Sequence, residues 1–223
     1  MSAVMSSLKP LVAATLLACV GFASANITVY TSASAFNAAL LSMSAISGTD
    51  SFDDLTAGAN LGSGPLTRAA GSLGYSAAVG PDSDIFYGAG NGTDNWLSTN
   101  VATDTVTFSG FAPGVFAAGA NVFNSDVGGN FLRRGAITLA AVDGNSTATQ
   151  TVRFATTSTF IGFISDSALT SVSLTSTQGR NSTVWPTMNN LTLATPIPEP
   201  ETYALMLAGL AAVGFMARRR KAD

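Results

Sequence analysis

Apolar and polar residues alternate with a period of two along much of residues 26–195, the pattern of half-buried β-strands. Asn26-Ile27-Thr28-Val29-Tyr30-Thr31 is the first such run. A stretch with helical spacing follows. Ser32 or Ser34 supplies a cap, and Phe36, Leu40, Leu41 and Met43 form one apolar stripe, so a helix is predicted near 33–43. Beyond Gly48 the pattern returns to short strands separated by Gly, Asn, Asp and Ser. Strands are expected at 104–108, 115–123, 135–142, 149–154, 160–165, 171–175 and near 189–193. Gly119 inside the second of these suggests a bulge or a close backbone approach. Asp143-Gly144 marks a tight turn. The fold class expected is all-β: a jelly-roll-like β-sandwich with one short N-terminal helix. Residues 56–100 are expected to form a long connection interrupting the regular meander.

The two ends break the pattern. Lys9 precedes an apolar run of twelve, Leu11 to Phe22, and Ala23-Ser24-Ala25 gives the small-x-small pattern that signal peptidase accepts. Residues 1–25 therefore read as a signal peptide cleaved after Ala25, and the run is too short for a stable span. A lipoprotein signal centred on Leu16-Leu17-Ala18-Cys19 is the competing reading. At the other end Pro196-Ile197-Pro198-Glu199-Pro200-Glu201 makes a stiff connector. Residues 203–217 then carry no charge, and Arg218-Arg219-Arg220-Lys221 follow. As a helix this run is ~22 Å long against a ~30 Å hydrocarbon core. It is expected to enter the inner membrane with thinning or snorkelling arginines, its cations on the cytoplasmic side. The division is thus 1–25, 26–195 and 196–223.

Composition narrows the chemistry. The 223 residues are 47% hydrophobic and only 10% charged, with no histidine and one cysteine. Histidine triads, histidine-ligated zinc and disulfide frameworks are excluded. Within 26–195 five arginines stand against ten aspartates, a net charge of −5, with no lysine or glutamate. That balance argues against nucleic acid and leaves aspartate as the available general base.

The richest polar stretch is 80–96. Asp82, Asp84, Asp94 and Asn95 offer hard oxygens for Ca2+ if the loop folds back on itself, although their spacing matches no EF-hand. Asp and Asn are also ordinary turn formers. Tyr87 and Trp96 have faces that can stack on sugar rings, against the alternative that Trp96 packs in the core. Trp185 is a second aromatic of the same ambiguity. Asp53 and Asp54 are adjacent, so on a strand they point apart and do not form a hydrolytic pair. Arg133-Arg134 could contact an anionic polymer, with a solvated hairpin as the default.

Pro198-Glu199-Pro200, the short apolar span with Gly209 and Gly214, and the cluster Arg218, Arg219, Arg220 and Lys221 resemble the PEP-CTERM sorting signal of Gram-negative bacteria. The resemblance implies recognition and cleavage near Pro-Glu-Pro by an exosortase, and a place in exopolysaccharide and biofilm systems. The same tail has been described as the C-terminal segment of ice-binding proteins, a label that concerns the tail alone. Phe160-Ile161-Gly162-Phe163-Ile164-Ser165-Asp166 and Asn189-Asn190-Leu191 are also similar to the closing strands of many domains bearing this tail; Asn189 stands where aspartate is common there. The expectation is an exported, non-enzymatic protein of the cell surface or matrix, without a required cofactor and associated with exopolysaccharide. A calcium-dependent lectin-like module is the second reading, and a secreted aspartate-based hydrolase the third.

Overall fold

A computed structural model describes residues 26–179, 183–197 and 206–211. The leader with its Ala23 and Ala25, the Pro198-Glu199-Pro200 motif and the terminal arginines lie outside the described residues. Fourteen strands and one domain helix are present in chain order: β1 (Ile27–Tyr30), α1 (Ala33–Ser42), β2 (Ile46–Asp50), β3 (Asn60–Ser63), β4 (Leu66–Ala70), β5 (Leu73–Gly80), β6 (Ile85–Gly90), β7 (Asn95–Thr99), β8 (Thr105–Ser109), β9 (Ala117–Ser125), β10 (Ala136–Asp143), β11 (Thr147–Arg153), β12 (Phe160–Ser165), β13 (Leu169–Thr177) and β14 (Trp185–Thr195). They form two antiparallel sheets packed as a sandwich. The eight-stranded sheet runs β1-β12-β9-β14-β7-β6-β3, with β2 also on β14, and the six-stranded sheet runs β11-β10-β13-β8-β5-β4.

Alternation explains the six-stranded sheet. Val106 and Phe108 on β8, Val172 and Leu174 on β13, and Ile137 and Leu139 on β10 point inward and are buried. Their neighbours are mostly Thr and Ser, with Ala136 and Ala140 on β10, and these take the outer face. Pairing sets these hydroxyls in rows: Thr138 stands opposite Thr151 on one side and Thr175 on the other.

Strand β12 reads as an unbroken apolar run because both of its faces are covered. Ile161 and Phe163 enter the main core, while Phe160 and Ile164 join a second cluster with Phe36 and Leu40 of α1. Ser32 caps that helix, its Oγ accepting from the Ala35 N–H at 3.4 Å. The helix fits because Gly119 and Gly162 stand opposite each other across β9 and β12. A Cβ at Gly119 would meet the Phe160 ring at 2.6 Å, and one at Gly162 would meet Phe36 at 2.7 Å.

The segment expected to be a long connection is instead filled by five strands, β3 to β7. Their glycines, prolines and short lengths hide the period that marks the other strands. Strand β14, anticipated as a short piece near 189–193, is eleven residues long. It holds the eight-stranded sheet together by pairing β9 on one edge and both β7 and β2 on the other. A bulge between Asn189 and Thr192, with Asn190 at φ +53°, separates those two partners.

Among the described residues no helix is long and apolar enough to cross a membrane. Only 206–211 of the apolar run 203–217 is described, as helix.

Candidate functional site

The stretch 80–96 is a β-hairpin, β6 and β7 joined by a turn at 91–94. Asp82 and Asp84 lie at its open end, Asp94 and Asn95 at its turn. A strand of six residues separates the two pairs by roughly 20 Å at ~3.3 Å per residue, so a single ion does not reach all four. Each group has local work. The Asp82 N–H donates to Asp104 at 2.7 Å and its carboxylate accepts from Thr103 at 2.9 Å. Asp84 contributes its backbone carbonyl to the Gly64 N–H at 2.7 Å. Asp94 accepts from the Asn189 side-chain amide at 2.7 Å. The buried Asn95 amide donates to the Asp53 and Leu55 carbonyls at 3.2 and 2.8 Å. Asparagine at 189, where aspartate was noted as the common residue, supplies the donor this contact needs; a second carboxylate facing Asp94 would repel it. Among the described residues no three acidic or thiol side chains gather as a metal centre.

The two aromatics separate. Trp96 is buried, 5% exposed, with its ring edge-on to Phe123 at 4.8 Å between centroids. Phe123 in turn meets Phe131 at 5.8 Å. Trp96 therefore packs beneath the protein surface, and its Nε1 has no hydrogen-bond partner among the described residues. Tyr87 remains half-exposed. It lines a narrow cleft of about 50 Å³ with Ser98, Asn100, Asp126, Val127 and Trp185. The segment after β9 builds one wall. Asp126 accepts from the Gly128 and Asn130 N–H groups, both at 2.9 Å, which curls that segment. Gly129, at φ +79°, then approaches the sheet so closely that a Cβ there would meet the Ala89 Cα at 2.9 Å. Trp185, which also lines the cleft, donates from Nε1 to the Asn100 carbonyl at 3.3 Å, and this bond restrains its ring.

Two aromatic rings, an amide, hydroxyls and one carboxylate thus border one cleft, whose volume is well below the ~300 Å³ at which ordinary small-molecule pockets begin. Tyr87 and Trp185 were legible as candidates from sequence. Asp126 and Asn100 were not, because they meet only when β6, β7, β9 and β14 lie side by side.

Asp53 and Asp54 serve different partners. Asp53 accepts from the Asn95 N–H at 3.2 Å, and Asp54 accepts from Arg68 Nη2 at 2.7 Å. Behind them Asp50 is buried and receives Arg68 Nε and Nη2, both at 2.7 Å, and Tyr75 Oη at 2.6 Å. Arg68 also lies over the Phe52 ring, 5.1 Å from its centroid. The hydrogen bond to Asp50 raises the Arg68 guanidinium above its ordinary value despite burial. Burial, then the bond to Asp50, pushes the Tyr75 phenol up. Arg68 holds the Asp54 carboxyl below the usual carboxylate range. The depression above this network is about 450 Å³ and strongly polar, but its arginine is committed to carboxylates on both sides.

Asp143 is likewise committed. Burial would push it up, but donors from Ser165 Oγ, the Asn145 and Ser146 N–H groups and Ser146 Oγ, at 2.6 to 3.0 Å, hold it well below the usual range.

No curated protein and no solved structure matches the chain. Its C-terminus does match: residues 196–221 fit the family model described as the PEP-CTERM protein-sorting motif. The chain carries that motif, which marks an exported protein processed by an exosortase and sorted to the cell surface.

Proposed function

We propose that this protein works without catalysis at the cell surface or in the surrounding matrix, as a structural or adhesive partner of extracellular polysaccharide. The carrying observation is the sorting motif at 196–221, which sets where the β-sandwich is delivered. Signal peptidase removes the leader, residues 203–217 hold the precursor in the inner membrane, and the exosortase acts near Pro198-Glu199-Pro200. Arg218, Arg219 and Arg220 keep the tail's end in the cytoplasm. In this reading the protein acts through its surface, and the engagement of Asp53 and Asp54 with separate partners weighs against a paired-carboxylate hydrolase.

A lectin-like module is the second reading, favoured by the cleft between Tyr87 and Trp185. Calcium, if used, would bind one end of the β6–β7 hairpin rather than bridge both. The test is cosedimentation of the purified protein with the producing strain's own exopolysaccharide, with and without chelator. Retention by polymer that drops several-fold in Tyr87→Ala and Trp185→Ala supports the cleft. Retention unaffected by both variants removes it, and no retention at all removes the polysaccharide reading.

A further inference from the structure

The arginines are distributed unevenly. In a domain with net charge −5, Arg133, Arg134 and Arg153 all sit at one corner of the six-stranded sheet. Among the described residues none of the three has a carboxylate within ion-pair distance, whereas Arg68 holds two. Arg134 and Arg153 line a cavity of about 490 Å³, the size of a sugar-binding site. Gly135, Ala136, Thr151 and Thr177 also line it, and among the described residues no carboxylate does.

The walls are held in place. Ala136 pairs with Arg153 on β11 and with Thr177 on β13, so the arginine and the threonine flank it in one row. Gln178 at the rim is pinned by the Ala102 and Val184 carbonyls at 2.9 and 2.8 Å. The Asn124 side-chain amide donates to the Arg134 carbonyl at 2.6 Å, fixing the backbone that carries that guanidinium.

Phe154 is the second, independent sign. Its φ is +53°, a left-handed conformation that a bulky non-glycine residue rarely adopts. The residue is 57% exposed beside the cavity, so core packing does not repay that strain. The conformation is set by two contacts: its N–H donates to the Gly135 carbonyl at 3.0 Å, and its own carbonyl accepts from Arg133 Nε at 3.2 Å. A bulky ring is thus presented to solvent at the mouth of a cationic cavity.

We propose that this corner binds an acidic sugar unit, a uronate within a polysaccharide chain. The Arg134 and Arg153 guanidinium groups take its carboxylate, and Phe154 covers one face of the ring. Guanidinium forks match a planar carboxylate, and an exposed ring face matches pyranose C–H surface. Thr151 lines the cavity and stands in one cross-strand row with Thr138 and Thr175, along which neighbouring uncharged sugars can lie. The proposal deepens the polysaccharide reading and rests on it, while using none of the residues that line the Tyr87–Trp185 cleft.

Calorimetric titration of the purified protein with tetragalacturonate, with its fully methyl-esterified form and with neutral cellotetraose tests it. The acid is expected to bind at least tenfold tighter than the ester at low salt, and the advantage to shrink as salt rises. Arg134→Gln and Arg153→Gln should each weaken the acid at least fivefold and leave the ester unchanged. Phe154→Ala should weaken both about equally. Thermal unfolding of the exposed Arg153→Gln variant, expected near that of the parent, separates lost binding from lost folding. Equal binding of acid and ester, surviving both arginine changes, overturns the acidic pocket and leaves the polysaccharide reading standing. Silence towards all three sugars and towards the strain's own polymer overturns both. Inorganic phosphate bound through Arg134 and Arg153, with tetragalacturonate silent, overturns the uronate assignment.

Discussion

Replacing Arg68 by alanine strands a buried carboxylate. Asp50 is 6% exposed, and Arg68 gives its carboxylate two of the four hydrogen bonds it accepts, the others coming from Tyr75 Oη and the Phe52 N–H. Breaking one side of a buried pair costs about 3–5 kcal/mol, since the other charge stays desolvated without compensation. Arg68 is itself 15% exposed, so the lower end applies, about 3 kcal/mol. At ~2–4 °C per kcal/mol for a domain of this size, Tm should fall by roughly 6–12 °C. The second bridge of the same arginine supplies the contrast. Asp54 is 67% exposed, and water screens it, so Asp54→Ala should cost under about 1 kcal/mol. Asp50→Asn lies between, because an amide keeps the shape but repels part of the guanidinium fork. Urea unfolding of the three variants, with m unchanged, measures the differences. Equal costs for Arg68→Ala and Asp54→Ala would refute the reasoning, since burial would then not be what decides the strength of the pair.

Gly162→Ala should destabilise by about 1–3 kcal/mol through overpacking, because its Cβ would sit 2.7 Å from Phe36 and 2.8 Å from Phe160; an unchanged urea midpoint would show that α1 is not seated on that glycine. Asp143 has a folded-state pKa below its unfolded value, so its contribution is present above about pH 4 and is lost as pH falls through the folded value. The protein should accordingly lose stability on acidification below about pH 4, and Asp143→Asn should flatten that part of the pH–stability curve; an equally steep curve in the variant would assign the acid sensitivity elsewhere.

Much of the sandwich was legible. The strands of the six-stranded sheet have one wet face, so Val106 and Phe108 or Val172 and Leu174 announce themselves by alternation. Helix α1 was legible from its cap and from Phe36 and Leu40, whereas Leu41 and Met43, expected on the same stripe, face solvent; the Asp143-Gly144 turn joins β10 to β11 as expected. Gly119 did mark a close approach, to the Phe160 ring. The strands between 60 and 99 were not legible. Strand β7 is buried on both faces despite carrying Asn95, Ser98 and Thr99, and its polarity made it look like loop. Asn95 and Ser98 are satisfied by distant partners, as when Ser98 donates to the Pro186 carbonyl at 3.0 Å. Satisfaction of that kind is invisible until the strands are assembled.

The amino-acid sequence by itself determined the protein's destination and class of fold. A sorting motif is read as a local string, and strand alternation is a property of neighbours in the chain. Tertiary structure decided which polar residues share a site. It parted Asp82 and Asp84 from Asp94 and Asn95, buried Trp96, placed Tyr87 and Trp185 on one cleft, and gathered Arg134, Arg153 and Phe154 around one cavity. The physical reason is that antiparallel pairing separates residues a few positions apart by the length of a hairpin, and brings residues a hundred positions apart to within one strand spacing.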